Sequence, residues 1–92
     1  MHLVTLPDGS PCIAEWHRYP DGSPALQLVD AATGAPVMRP TAPSGDPQRV
    51  VIKDYTEYAG VYDALVAAGV LTATTESAPL GYATGRVGYR TA

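Results

Sequence analysis

Ninety-two residues, 46% of them apolar, suffice for one domain spanning 1–92 with a modest core, and exclude a disordered chain. The net charge is −3 and the cations (Arg18, Arg39, Arg49, Lys53, Arg86, Arg90) are spread singly, so no nucleic acid is expected as a partner; phosphate-backbone binding needs a clustered basic face. Cys12 has no second cysteine to pair with, no apolar run approaches a membrane span, and the N-terminal residues lack a signal-peptide pattern, so a soluble intracellular domain with no membrane contact is expected.

In chain order, residues 1–6 read as a short strand ended by Pro7-Asp8-Gly9-Ser10, and residues 11–19 as a second ended by Pro20-Asp21-Gly22-Ser23. In both, proline presets φ and Asp-Gly admits a left-handed residue, which makes tight turns. The two PDGSP segments lie thirteen residues apart and read as one turn chemistry used twice in a meander, in preference to a duplicated unit. Alternation places Cys12, Ala14 and Trp16 on the core face of the second strand, and Ile13, Glu15, His17 and Tyr19 on the other. A third strand, 25–30, turns Leu26 and Leu28 inward and ends at Ala32-Thr33-Gly34. Residues 36–41 read as a fourth, with Pro40 marking an edge or an early end, and 41–48 (TAPSGDPQ) fits no strand or helix pattern.

The stretch 49–71 organises the rest. Val50, Val51 and Ile52 are β-branched and suit a pleated surface. Asp54 and Glu57 have capping-box spacing, and both charges suit a helix N-terminus. Tyr58, Val61, Tyr62, Leu65 and Gly69 then recur at helical period, and Gly69 is placed as the glycine stop. Residues 72–79 are Thr-rich and fit either a strand or a loop. Residues 81–91 read as a last strand, with Ala83, Gly85, Val87 and Tyr89 on one face and Tyr82, Thr84, Arg86, Gly88 and Arg90 on the other. Interior glycines there signal a bulge or a close approach. The expected fold is α+β: an antiparallel sheet of about five short strands with one amphipathic helix, about residues 55–69, packed on one face.

No motif assigns an activity. His2, His17 and Cys12 lack zinc spacing, and Cys12 and His17 fall on opposite faces of one strand, so neither a metal site nor a Cys–His nucleophile is expected. Cys12 reads as a small buried hydrophobe. Ser10, Ser23, Ser44 and Ser77 lie in turns and loops, outside any Gly-x-Ser-x-Gly context. Helix capping accounts for Asp54 and Glu57 without acid–base chemistry, and Gly81, Gly85 and Gly88 precede no helix that would cradle a phosphate. The chain is therefore expected to have no catalytic residue, no enzymatic activity and no cofactor.

Binding is the remaining class. Trp16-His17-Arg18-Tyr19 puts aromatic and basic side chains beside a turn, the mix enriched at interfaces; core packing of Trp16 and a strand-end position for Tyr19 explain the same residues. Lys53, Asp54, Tyr55 and Glu57 form the strand-to-helix corner, where Tyr55 either staples the helix entry or presents its ring to a partner.

The segment Ile52-Lys53-Asp54-Tyr55-Thr56-Glu57, with Gly60, Leu65, Ala68-Gly69 and Val70 after it, resembles a family of short uncharacterised proteins encoded by phages, prophages and plasmids of bacteria. Their pattern is an IKDYSENEG-like strand-to-helix segment. Ala25-Leu26-Gln27-Leu28-Val29-Asp30, the Gly34–Pro36 turn, Thr41 and Pro79-Leu80-Gly81-Tyr82-Ala83-Thr84 extend the likeness over roughly residues 25–90. The chain departs from the pattern at Tyr58 and Ala59, in place of Asn-Glu, and at Pro40 and Ala42, in place of Leu and Asn. The resemblance implies a mobile-element origin and the cytoplasm of a bacterial host, and carries over no functional residue.

The leading expectation is a small phage or mobile-element accessory protein that binds a host or phage protein, for instance to inhibit a host defence system. The alternatives are a small-ligand (nucleotide-type) binding or sequestering protein, and a minor virion structural or assembly protein. A homodimer through an edge strand is compatible with all three.

Overall fold

The computed structural model describes residues 2–81 and 83–91. Met1 and Tyr82, assigned above to the first and last strands, lie outside the described residues. The fold is α+β: one short α-helix, α1, Val61–Ala67, and eight strands among the described residues. These are β1 His2–Thr5, β2 Pro11–Arg18, β3 Pro24–Asp30, β4 Pro36–Met38, β5 Thr41–Ala42, β6 Arg49–Ile52, β7 Leu71–Leu80 and β8 Ala83–Arg90. They make two four-stranded sheets with every pairing antiparallel, ordered β1-β2-β3-β4 and β5-β6-β8-β7.

Eight strands in two sheets replace the expected sheet of about five, and two local causes account for it. The first is Pro40. Residues 36–41 do not run as one strand: Met38 pairs with Leu28 in the first sheet, whereas Thr41 and Ala42 pair with Ile52 and Val51 in the second. Proline supplies no N–H for a ladder, so the chain changes sheets there, and the Pro40 carbonyl accepts the Lys53 N–H at 2.8 Å. The second is the Thr-rich stretch, which forms most of the ten-residue β7. Its side chains are mostly exposed, as befits an edge strand.

The hairpin turns repeat their backbone chemistry. Leu6 N–H bonds to the Ser10 carbonyl and Tyr19 N–H to the Ser23 carbonyl, both at 2.9 Å. Gly9 and Gly22 take φ of 89° and 87°. Asp8 and Asp21 each accept the N–H two residues on, Ser10 and Ser23, at 2.9 Å. At Asp21 the Ser23 hydroxyl also donates, at 2.6 Å, and is the larger cause there; these bonds favour the ionised carboxylates and hold both below the usual range.

The helix is shorter than the expected 55–69. Thr56–Tyr58 form a separate 3₁₀ turn, and the α-helical turn starts only after Gly60, at φ 86°. A side chain on Gly60 would be left-handed and would begin 2.8 Å from Pro7 Cγ, so the glycine is required by both conformation and space. The capping box is not made. Asp54 Oδ1 instead reaches past the 3₁₀ turn to the N–H groups of Gly60, at 2.9 Å, and Tyr62, at 3.4 Å. Asp54 still caps, but it caps a helix that begins at Val61. The C-terminal stop is as expected: Gly69 at φ 75°, with Gly69 N–H on the Val66 carbonyl and Val70 N–H on the Leu65 carbonyl, a Schellman motif.

The main core lies between the sheets and under α1. Val4, Leu6, Cys12, Leu26 and Leu28 come from the first sheet and the turn after β1. Val50 and Ile52 come from the second sheet, and Val61, Tyr62 and Leu65 from the helix. Each fully buried leucine or isoleucine contributes roughly 1.5–3 kcal/mol. Thr41 joins the sheets through polar atoms: its Oγ1 accepts Leu26 N–H at 3.1 Å and meets Tyr19 Oη at 3.0 Å, and its carbonyl accepts the Tyr19 hydroxyl at 2.9 Å. A smaller cluster of Val51, Ala78 and Val87 occupies the other face of the second sheet, with Leu80 packed on it. Gly85 makes room there, since a Cβ would lie 2.8 Å from both Leu80 Cδ1 and Val51 Cγ1.

Candidate functional site

Five of the six sequence-selected residues lie at two places along β8, and the sixth, Tyr19, is engaged between the sheets. Lys53, Asp54, Tyr55 and Glu57 form the corner before α1, and Arg86 reaches it from the middle of β8. Arg86 Nη1 lies 3.3 Å from both Asp54 Oδ2 and Asp63 Oδ1, and its guanidinium sits 3.9 Å from the Tyr62 ring centre. Burial would lower the affinity of that guanidinium for its proton; bonds and charge from Asp54 and Asp63 outweigh it and leave the pKa above the usual value. Lys53 Nζ lies over the Tyr58 ring at 4.8 Å. Tyr55 is extended, and its carbonyl accepts Tyr58 N–H at 3.0 Å. Thr56 follows in the left-handed region, φ 50°, which strains a β-branched residue by about 1–3 kcal/mol. Glu57 is exposed on the rim of a small dimple of about 130 Å³ with Leu6, Pro7, Asp8, Met38, Ala59 and Val61. The corner is thus a network in which Asp54 directs both oxygens to groups of its own chain.

Trp16 lies at the other place, near the end of β8. The Arg90 guanidinium lies 4.9 Å from the Trp16 ring centre, and the buried indole N–H meets no acceptor among the described residues. Arg86 and Arg90 are four residues apart on an extended strand, about 13 Å, so the two groups form separate clusters. The Tyr19 hydroxyl is engaged with Thr41 between the sheets.

Two features escaped the sequence reading. A cleft of about 200 Å³ is lined by His17, Arg18, Pro24, Pro47, Gln48 and Arg90, which gathers side chains from β2, β3, the loop before β6, and β8. Its cations are far apart in the chain, so spacing gave no cue. The second is the free edge of β1. Leu6 bonds to Ser10 across the hairpin, so the alternation of an antiparallel ladder makes Val4↔Cys12 and His2↔Ala14 the hydrogen-bonded pairs. The N–H and C=O of Leu3 and Thr5 consequently point away from β2, and β1 has no second neighbour in its sheet. Beside this edge runs an open groove of about 230 Å³, lined by Leu3, Thr5, Ala64, Ala67 and Ala68. Leu3 is 59% exposed while Val4 is fully buried. The cue was available: consecutive apolar residues in a strand place one of them outside.

Among the described residues no group of three or more His, Cys, Asp or Glu converges, and no helix is long and apolar enough to cross a membrane. The Cys12 thiol is buried, and burial, with the Asp30 and Asp8 charges, pushes its pKa up and away from thiolate chemistry. The clefts described are each smaller than the roughly 300–1,000 Å³ usual for small-molecule pockets. Comparison of the chain with protein-family models, curated proteins and solved structures gives no match.

Proposed function

We propose that this chain acts by protein–protein interaction, as a small accessory protein of a phage or mobile element that binds a host or phage protein, with inhibition of a host defence system as the role to test first. The resemblance of residues 52–57 and their surroundings to mobile-element proteins supports the setting. The observation that carries the mode of binding is the β1 edge. Leu3 and Thr5 offer two donors and two acceptors to an incoming extended segment, the arrangement used in strand addition.

The groove sets what that segment must carry. A residue paired opposite Val4 would point to the same side as Val4, toward α1, and its side chain would enter the groove over Ala64, Ala67 and Ala68. No charged residue lines that groove, so the entering side chain is apolar. A second copy pairing symmetrically about Val4 would place its own Val4 there. That side chain is already fully buried in its own core, and the groove would stay empty. A different protein with an extended, apolar-centred segment fits better.

The test is co-purification from host lysate with the wild type and with Ala67→Arg, which fills the groove from an exposed position and leaves the core alone. A stoichiometric partner retained by the wild type and lost by Ala67→Arg supports the reading. A partner bound equally by both contradicts the edge as the site. Recovery of only a homodimer, its mass measured by light scattering, contradicts a foreign partner.

A further inference from the structure

We infer that the segment added to β1 is selected by an apolar doublet: a bulky side chain opposite Val4, followed directly by an apolar one opposite Leu3. This rests on strand addition at β1 and names the sequence that the edge reads. Every pairing in the fold is antiparallel, and parallel pairs are slightly weaker, so the segment runs antiparallel and meets Thr5, Val4 and Leu3 in that order. Leu3 and Thr5 would each exchange two hydrogen bonds with the residue opposite. Val4 then takes the non-bonded position, where opposed side chains come closest. The residue facing it enters the groove of about 230 Å³, whose helix wall is Ala64, Ala67 and Ala68. Methyl side chains leave the bulk to be supplied from outside. The volume equals the share of roughly seven or eight waters, so leucine or phenylalanine fills it, whereas alanine leaves the wall atoms without partners.

The second half of the doublet is set on the other face of the sheet. Leu3 stands opposite Ile13, Ile13 opposite Val29, and Val29 opposite Pro36. Directly opposed residues share a face, so the four strands carry one apolar row on the side away from Val4 and the main core. Its cover fails toward the open edge: Val29 is 7% exposed, Ile13 is half-buried and Leu3 is 59% exposed. Ile13 and Val29 are flanked on both sides, whereas Leu3 has a strand neighbour on one side only. An apolar residue opposite Leu3 extends the row by one strand and covers that side chain. Thr5 heads no such row: it is exposed, opposite the exposed Pro11, and sets no apolar demand. A second copy paired about Val4 would set Thr5 opposite Leu3, so β1 does not itself carry the doublet it reads.

The experiment is two-dimensional ¹H–¹⁵N NMR titration of the full chain with the peptide acetyl-KTTFVTK-amide, whose Thr-Phe-Val would face Thr5, Val4 and Leu3, and with its Phe→Ala and Val→Thr forms. The parent peptide should give saturable shifts at Leu3, Thr5, Ala64, Ala67 and Ala68. The Phe→Ala peptide should bind at least about tenfold more weakly, and the Val→Thr peptide about threefold more weakly. Leu3→Thr alters an exposed side chain and leaves the edge N–H and C=O groups in place. It should erase the preference for Val over Thr and keep that for Phe over Ala, the coupling that contact between Leu3 and the incoming residue requires. Equal binding at β1 by the parent and either variant peptide, or a valine preference that Leu3→Thr leaves intact, would overturn the doublet while strand addition stands. Shifts away from β1, or none with any peptide, would overturn strand addition and the doublet with it.

Discussion

Replacing Tyr62 with Phe removes one oxygen atom from the centre of the fold. Tyr62 is 1% exposed, and its hydroxyl donates to the Val87 carbonyl at 2.9 Å and accepts Thr74 N–H at 3.1 Å. The need for it comes from a bulge: Ala73 pairs with Gly88 and Ser77 with Arg86, so three residues of β7 face Val87 alone. The ladder groups left over at that point are gathered by Tyr62 and by Thr74 Oγ1, which bonds the same carbonyl at 2.6 Å. In Tyr62→Phe the Val87 carbonyl keeps the Thr74 hydroxyl, whereas the part-buried Thr74 N–H is orphaned. One lost bond at about 1 kcal/mol and one unsatisfied donor at about 1–2 kcal/mol give a loss of about 2–3 kcal/mol. For a domain this size that lowers Tm by roughly 10–15 °C. Urea unfolding and a thermal melt of both proteins measure it. Thr74→Val should be more than additive with Tyr62→Phe, because together they strip the carbonyl of both side-chain donors. A loss below about 0.5 kcal/mol would refute the reasoning, since it would mean the bulge needs no hydroxyl.

Other perturbations probe the joints between the sheets. Thr41→Val leaves the buried Leu26 N–H without its acceptor and frees Tyr19 from Oγ1; denaturant unfolding should show a loss of about 1–3 kcal/mol. Gly85→Ala introduces a Cβ 2.8 Å from Leu80 and Val51 and 3.0 Å from the Ile52 carbonyl oxygen, and overpacking of this kind costs about 1–3 kcal/mol in the same assay. Acid should unfold the chain through its turns. Asp8, Asp21 and Asp30 are held below the usual carboxylate range by Ser10, by Ser23, and by the N–H groups of Thr33 and Ala32. The folded state therefore binds these protons less readily than the unfolded one. The stabilisation is present above the unfolded value of about 3.9 and is lost as pH falls through the lower folded values. Melts from pH 5 downward should show a steeper decline for the wild type than for Asp21→Asn.

What could be read in the sequence was whatever neighbouring residues decide among themselves. The PDGS turns need only proline, an Asx side chain and a glycine; Gly69 needs only the end of a helix; Val50 to Ile52 need only a sheet to join. All three behave as expected. What could not be read depends on partners distant in the chain. Asp54 and Glu57 satisfied a spacing rule, yet the carboxylate is used by Gly60, Tyr62 and Arg86 once Thr56 and Gly60 turn left-handed. Pro40 marked an interruption without saying that the chain crosses to a second sheet. The Thr-rich β7 carries little apolar signal because its edge faces solvent, and its bulge depends on a tyrosine hydroxyl from α1. Arg18 and Arg90 reach one cleft only through the packing of the two sheets.

Amide hydrogen exchange resolved by residue, on the chain alone and in complex with the captured partner, tests the β1 edge most directly. In the free chain Val4 N–H should exchange slowly, being directed at Cys12, while Leu3 and Thr5 exchange fast because their amides face the open edge. In the complex, Leu3 and Thr5 should become protected together. If they stay fast while protection appears elsewhere, at the Lys53–Glu57 corner for example, strand addition at β1 is wrong.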